Sequence, residues 1–172
     1  MIRYQYTGKP LGQVAREVRE AIATTLPERV KIMAVDHFDK SFANQGFTDR
    51  ILKPWPRRKS NRPQDAGRAT LIKSGRLRRS IQGQAQPGRV IIQSLDVPYA
   101  EIHNRGGIMS ARQYVRPHTK PNFMGRGRAV AISGHSRTMN HRVPQRQFMG
   151  YSHMLYEEIE KEIAKTIKNA FR

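Results

Sequence analysis

Residues 152–171 read SHMLYEEIEKEIAKTIKNAF and have the clearest periodicity in the chain. Their apolar side chains recur at helical spacing and form one broad face, made of Leu155, Ile159, Ile163, Ile167, Ala170 and Phe171. Glutamates come first and lysines follow, an order that complements the helix dipole, and Ser152 stands before them as an N-cap. The segment predicts a C-terminal amphipathic helix that packs on a core.

A second helical region is predicted near the other end of the chain. Apolar residues repeat every three to four positions in two runs, Leu11, Val14, Ala15, Val18, Ile22 and Leu26, then Val30, Ala34, Phe38 and Phe42. Thr25 suits an N-cap and Pro27 suits a first helical turn. We therefore expect two helices that meet at Pro27, the second ending near Gly46.

Short elements are predicted between the terminal helices. Gln86-Pro87-Gly88 is a turn between residues 80–85 and the β-branched residues 89–95, which predicts a hairpin. Residues 71–81 fit either a short helix or a strand. Residues 98–103 predict a helical turn that ends at the following glycines. Residues 108–142 are rich in Gly, Pro, His and Arg and predict a long loop or an extended arm.

The charge of the chain is unevenly distributed. Its 172 residues suit a single domain and carry a formal net charge of +19. Residues 50–150 hold 21 Lys and Arg against Asp65, Asp96 and Glu101, whereas both ends are close to neutral. Such a block is expected to meet nucleic acid, anionic lipid or an acidic protein, or to stay spread out in solvent. Lipid is the least favoured partner, because the predicted amphipathic helices are charge-balanced.

The residue types argue against an enzyme or a metal centre. The chain has no cysteine, which excludes disulfides and thiolate sites. His118, His135 and His141 lack a metal-ligand spacing, and the few scattered carboxylates could not hold the ion of a nuclease. No apolar run approaches the roughly 18 residues of a membrane span, and the N-terminus does not resemble a secretory signal. We expect no catalytic site, cofactor or metal, and a cytoplasmic origin.

The densest basic cluster is Lys53-Pro54-Trp55-Pro56-Arg57-Arg58-Lys59. Trp55 could stack on a nucleic-acid base, but we favour a core position for it, with the prolines stiffening the loop. Aromatic residues in the basic region are too sparse for a stacking platform. Contact with nucleic acid would therefore be with phosphates and without sequence specificity.

Four motifs occur in a characteristic order between the terminal helices. They are Phe42-x-x-Gln45-Gly46-Phe47 with Pro54-Trp55-Pro56-x-Arg58, then residues 71–81, residues 97–107 and residues 143–152. This order resembles the tailed-bacteriophage virion morphogenesis family, the tail completion and head–tail joining proteins that include the Mu-type G protein. The resemblance covers roughly residues 11–107 and 143–172, and the chain departs from the pattern at residues 108–142, which form a longer, basic insertion.

The resemblance implies a non-enzymatic structural protein with an α+β fold. The fold would be a small antiparallel sheet packed against the N-terminal and C-terminal helices, with a long basic loop or arm at residues 108–142. The protein would form a homo-oligomeric ring, hexameric or higher, at the phage neck or the head-proximal end of the tail, after assembly in the bacterial host cytoplasm. Its partners would be neighbouring neck and tail proteins, with possible nonspecific contact with packaged DNA and none with membrane. The alternative is a nonspecific nucleic-acid-binding protein that uses the basic middle.

Two sets of residues carry these expectations. Contact with an anionic partner is expected from Lys53, Arg57, Arg58, Lys59, Arg62, Arg76, Arg78, Arg79, Arg112, Arg116, Arg126, Arg128, Arg137 and Arg142. A structural role is expected for Trp55, Gly75, Tyr99, His103, Gly106, Gly107, Arg146 and Phe148. Of these, Gly106 and Gly107 would release the chain into the arm, and Arg146 and Phe148 would return it to the sheet edge. The arm would grip neighbouring subunits by strand addition and wrapping.

Overall fold

Helices at both ends of the chain and four β-ribbons between them make up the computed structural model, which describes residues 8–58, 67–120 and 129–171. In chain order the elements are α1 (Leu11–Glu20), a π-helical segment (Ala21–Thr25), α2 (Leu26–Ala43), β1 (Gly46–Thr48), β2 (Leu52–Pro54), α3 (Arg76–Arg79), β3 (Ile81–Gln86), β4 (Arg89–Ser94), α4 (Ala100–Arg105), β5 (Gly107–Val115), β6 (His118–Lys120), β7 (Val130–Ile132), β8 (His135–Val143) and α5 (His153–Ala170). The ribbons β1–β2, β3–β4, β5–β8 and β6–β7 are all antiparallel. The predicted α+β class is confirmed.

Two α-helices meet at Pro27, as predicted, because α2 begins at Leu26 and holds Pro27 in its first turn. The π-helical segment joins α1 to α2 without a break in the helical backbone, so the N-cap predicted at Thr25 is wrong. Thr25 has helical dihedral angles (φ −71°, ψ −44°), and its side chain caps nothing. A proline lacks the N–H that a helix needs and crowds the carbonyl four residues earlier. The wider π turn before Pro27 accommodates this, and the helix continues.

The core lies where α2, the β3–β4 hairpin and α5 meet. Phe42 is fully buried, and its ring centroid lies 5.5 Å from that of Trp55 and 5.4 Å from that of Phe148. The Trp55 indole N–H donates to the Gln147 carbonyl at 2.6 Å. The core position predicted for Trp55 is confirmed, and burial of each such side chain stabilises the fold by about 1.5–3 kcal/mol.

The predicted hairpin is confirmed, with β3 and β4 paired from Ile81↔Ser94 to Gln86↔Arg89. Both strands pack on α2. Residues 71–81, which the sequence left open between helix and strand, contain the single helical turn α3 and the start of β3. Gly75 precedes that turn with φ +67°, a conformation that costs glycine nothing.

Two further local predictions are confirmed. The helical turn after Pro98 is α4, and it ends at Gly106 with φ +71°. A Cβ at Gly106 would lie 2.8 Å from the Gln145 backbone nitrogen, so only glycine allows the two segments to approach. Ser152 is the N-cap of α5, because its Oγ accepts a hydrogen bond from the Leu155 N–H at 3.3 Å.

Within residues 108–142 the structure contains regular strands that the sequence pattern did not predict. β5 and β8 form a ribbon of nine paired residues from Gly107↔Val143 to Val115↔His135. β6 and β7 continue it with three further pairs. Nearly every described side chain in these strands is exposed, so neither face has the apolar alternation by which a strand is recognised.

Candidate interaction surfaces

The β5–β8 ribbon is the largest exposed element of the described chain. Its cross-strand neighbours contact each other directly: the Ser110 hydroxyl donates to the Asn140 side-chain oxygen at 2.7 Å, and Arg137 Nη2 donates to Gln113 Oε1 at 3.3 Å. Among the described residues no further strand pairs with β5 or β8, so each presents an outer edge of unpaired backbone groups. Such edges are templates for pairing with another chain.

The ribbon is also strongly basic. Register places Arg112 and Arg142 on one face and Arg137 on the other. The sequence has no acidic residue between Glu101 and Glu157, so no carboxylate on the ribbon itself offsets these charges. The ribbon therefore combines an open sheet edge with a positive surface.

The base of the ribbon is fixed to the core by Asn104, a residue that sequence reasoning did not select. Its Oδ1 accepts from the Phe148 N–H at 2.8 Å and the Met149 N–H at 3.1 Å, and its Nδ2 donates to the Met149 carbonyl at 3.0 Å. Asn104 thus joins the end of α4 to the segment before α5. The only sequence signal is its place between His103 and the glycines.

Asp49 makes a similar long-range connection and was also missed. Its carboxylate accepts from the His153 N–H at 2.9 Å, and its carbonyl accepts from the Met154 N–H at 3.1 Å. The bond to the His153 backbone, as the main cause, lowers the pKa of the Asp49 carboxyl group. The first turn of α5 is therefore capped both by Ser152 and by a residue of the β1–β2 connection.

Arg146 and His103 meet beside α4. The backbone N–H of Arg146 donates to the His103 carbonyl at 2.8 Å, and its Nε donates to the Pro56 carbonyl at 3.1 Å. Burial, and secondarily the charge of Arg58, lower the pKa of the Arg146 guanidinium. Burial, and then the charge of Arg146, lower the pKa of His103. Arg146 thus contacts the end of α4 and Pro56, which follows β2, and Phe148 lies in the core. The return of the chain to a sheet edge at these residues stays a prediction.

An apolar groove lies between α1 and the end of α5. Leu11, Ile22, Ile167 and Phe171 line it and are 71%, 42%, 38% and 53% exposed. The predicted apolar face of α5 is therefore buried at Leu155 and Ala170, whereas Ile167 and Phe171 are exposed. Contiguous exposed apolar surface of this kind is typical of interaction sites.

A model of the phage virion morphogenesis family matches residues 11–168. The chain belongs to this family. The match runs through the ribbon, which the sequence resemblance had set apart. No curated protein and no solved structure matches the chain.

Family membership gives this virion morphogenesis protein a structural and assembly role in the phage virion, in a family not known to be enzymatic. Within the described ranges no three His, Asp or Glu side chains are grouped so that they could hold a metal ion. None of the described helices combines the length and apolar character that a membrane crossing requires.

The α3 arginines of the virion morphogenesis protein, which were predicted to contact partners, are engaged within the chain. Arg78 makes a two-point ion pair with Asp39, at 2.5 Å for both bonds. Arg76 donates to the Asp96 carbonyl at 2.6 Å, and Arg79 donates to the Ser74 carbonyl at 2.9 Å. Their role in partner binding stays a prediction, and each would have to serve the fold and a partner together.

The other predicted contact residues are dispersed. Lys53 is exposed on β2, 3.7 Å from Asp49, and Arg57 is exposed nearby. Arg58 lies beside Arg146, and Arg116 follows β5. Lys59, Arg62, Arg126 and Arg128 lie outside the described residues.

Proposed function

We propose that this virion morphogenesis protein is a structural component of the phage neck or tail terminus. In this role, subunits form a homo-oligomeric ring, hexameric or higher, that completes the tail and helps to join it to the head. Its neighbours are other neck and tail proteins. The family match supports the assembly role. The exposed β5–β8 ribbon is the observation on which the proposed ring depends.

The ribbon supports assembly because an isolated two-stranded ribbon is only marginally stable in water. Nine residue pairs with both faces exposed gain little from the described core. Pairing of β5 or β8 with a strand of the next subunit would satisfy the open edge and bury side chains. Head-to-tail contacts of this kind close into a ring when the rotation between successive subunits completes a full turn.

The apolar groove between α1 and α5 supports the same proposal. Its four exposed apolar side chains lie outside the ribbon, so a subunit has two separate surfaces with which it can contact neighbours. A ring subunit needs two different contact surfaces, because each copy meets one neighbour on either side.

Deletion of residues 108–142 tests the role of the ribbon. Gly107 and Val143 are paired, so an Asn-Gly turn can join them without strain. All buried core residues in the part of the chain that the structure describes lie outside the deletion, and we expect a cooperatively folded protein. Light scattering should show loss of the high-mass species formed by the full chain, whose mass would be a multiple of 19.8 kDa.

An unchanged oligomer after the deletion would contradict the role of the ribbon. The position in the particle needs a separate measurement. Electron microscopy of assembled particles should place the chain at the head–tail junction, and density elsewhere would exclude the neck and tail-terminus assignment.

Nonspecific binding of nucleic acid is the second candidate, and the basic ribbon is the observation that favours it. A two-stranded β-ribbon fits the major groove of DNA. For each tenfold rise in salt concentration, the logarithm of the DNA-binding constant should fall by about 0.9 per phosphate neutralised. Replacement of Arg112 and Arg142, which share one face of the ribbon, by Gln should reduce that slope by about 1.8.

Arg16→Gln is the matched control for this experiment, because Arg16 is exposed on α1 and lies outside the basic residues 50–150. Its salt slope should equal that of the unmodified protein. Weak DNA binding at moderate salt, together with tight binding to purified tails, would exclude nucleic-acid binding as the main function.

A further inference from the structure

A small cleft beside α4 is lined by several basic side chains, although it lies outside the β5–β8 ribbon. Its volume is about 200 Å³, and Arg146, His103, Lys73 and Arg58 line it together with apolar side chains. No aspartate or glutamate is among the described residues that line it. Arg146 therefore lies in a recess whose described walls add positive charge from Lys73 and contain no carboxylate.

Arg146 is the central cation of this cleft. It is only 8% exposed, and its Nε–H is the single guanidinium donor with a hydrogen-bond acceptor among the described residues. A guanidinium has five N–H donors and stays protonated in proteins. A buried charge costs several kcal/mol unless it is paired and hydrogen-bonded. Among the described residues, the buried Arg146 guanidinium therefore lacks the carboxylate that would complete an ion pair.

His103 provides a second incomplete group. Its Nδ1 is buried and has no hydrogen-bond partner in the part of the chain that the structure describes. Its ring packs edge-on against Tyr99, with centroids 5.8 Å apart. A neutral imidazole with its proton on Nδ1 would donate to an anionic oxygen. Protonated on Nδ1, His103 would add an unused donor beside the unused guanidinium donors of Arg146.

The size and walls of the cleft select among anions. Leu71, Leu77 and Tyr99 provide an apolar lining. A volume near 200 Å³ is below the range of about 300–1,000 Å³ typical of small-molecule sites. It suits a carboxylate on a short methylene stem. A DNA duplex presents its phosphates on a rigid surface, and it would meet the exposed ribbon arginines before a side chain as buried as Arg146.

We propose that this cleft binds the side-chain carboxylate of an aspartate or glutamate from a partner polypeptide chain. The carboxylate accepts two hydrogen bonds from the guanidinium fork of Arg146, the geometry that Arg and carboxylate groups prefer. Lys73 at the exposed rim adds charge. The site does not depend on ring formation, because any acidic partner segment can fill it.

Thermal unfolding of the full chain with a minimal probe tests the site. The probe is N-acetyl-glutamate N-methylamide, and the control is its uncharged analogue, N-acetyl-glutamine N-methylamide. Both are added at constant ionic strength. A ligand that binds the folded state raises Tm in a saturable way. We expect this rise with the glutamate probe alone.

Three variants locate the effect. Lys73→Gln, at an exposed position, should weaken the apparent affinity roughly threefold. Arg146→Gln should abolish the response. Lys165→Gln, an exposed lysine on α5, should behave like the unmodified protein. Because loss of the buried Arg146 can unfold the chain, the comparison of Lys73→Gln with Lys165→Gln keeps the test decisive.

Several outcomes would overturn the proposal. An equal rise in Tm with the glutamine analogue would show that binding is not at the cleft. An equal loss of apparent affinity in Lys73→Gln and Lys165→Gln would show the same. Tighter binding of inorganic phosphate than of the glutamate probe would assign the site to phosphate groups. A response that appears only in Asp65→Asn would show that a carboxylate of the same chain fills the cleft.

Discussion

Replacement of Asn104 by alanine tests how the end of α4 is held to the segment before α5. The substitution removes one side chain that accepts from the Phe148 and Met149 N–H groups and donates to the Met149 carbonyl. Both N–H groups then lack a partner beside the core. We therefore expect a loss of stability much larger than a surface substitution produces.

The magnitude follows from these three bonds. An unsatisfied buried backbone group costs about 1–3 kcal/mol, and the partial exposure of this site favours the lower end of that range. Over the three backbone groups that lose a partner, the cost is about 3 kcal/mol. Alanine favours the helix over asparagine by about 0.6 kcal/mol. The expected net loss is about 2 kcal/mol. Asn104→Asp keeps both acceptor bonds and loses only the donor, so it should cost about 1 kcal/mol.

Urea unfolding followed by circular dichroism, at fixed protein concentration, measures both losses. Asn169→Ala, an exposed position on α5, is the matched control and should change stability by less than about 0.5 kcal/mol. A loss below about 0.5 kcal/mol for Asn104→Ala, or equal losses for the alanine and aspartate variants, would refute this account of the contact.

Three further measurements test other contacts. Burial lowers the pKa of His103 in the folded state, so as pH falls the unfolded chain protonates this imidazole before the folded chain does. The free energy of unfolding should therefore fall as pH drops through about 6.5, by at most about 1.4 kcal/mol per pH unit. Urea midpoints measured against pH should lose this dependence in His103→Gln and keep it in His118→Gln. Ser152→Ala removes the α5 cap and a donor to the Thr48 carbonyl, and should lower the urea unfolding free energy by about 1 kcal/mol, whereas no loss would exclude the cap. A double-mutant cycle of Arg78→Ala and Asp39→Ala should give a salt-sensitive coupling of about 0.5 kcal/mol, since both side chains are more than a third exposed, and a coupling above about 2 kcal/mol would contradict this.

Local patterns in the sequence predicted the elements whose partners lie within a few residues. The α5 periodicity, its Ser152 cap and the hairpin around Pro87 are confirmed, because cap, turn and helix face are encoded in adjacent positions. The same logic placed the start of α2 at Pro27 and wrongly expected Thr25 to cap it. The π-helical turn before Pro27 keeps the backbone helical, so no N-cap forms there.

The ribbon could not be predicted as strands from local pattern. Its pairs join residues distant in sequence, such as Gly107 with Val143, and both faces are exposed. Alternation of apolar and polar residues arises only where one face is buried. The sequence therefore showed a basic segment without showing its conformation.

The sequence by itself determined the family, the α+β class, the terminal helices and the concentration of positive charge in the middle of the chain. Tertiary structure alone decided that Asp49 caps α5, that Asn104 holds the segment before α5, and that Arg146 and the unpartnered nitrogen of His103 line one cleft. The physical reason is the range of the interactions. Periodicity, capping and turns act between neighbours, whereas these contacts exist only after distant segments have packed together.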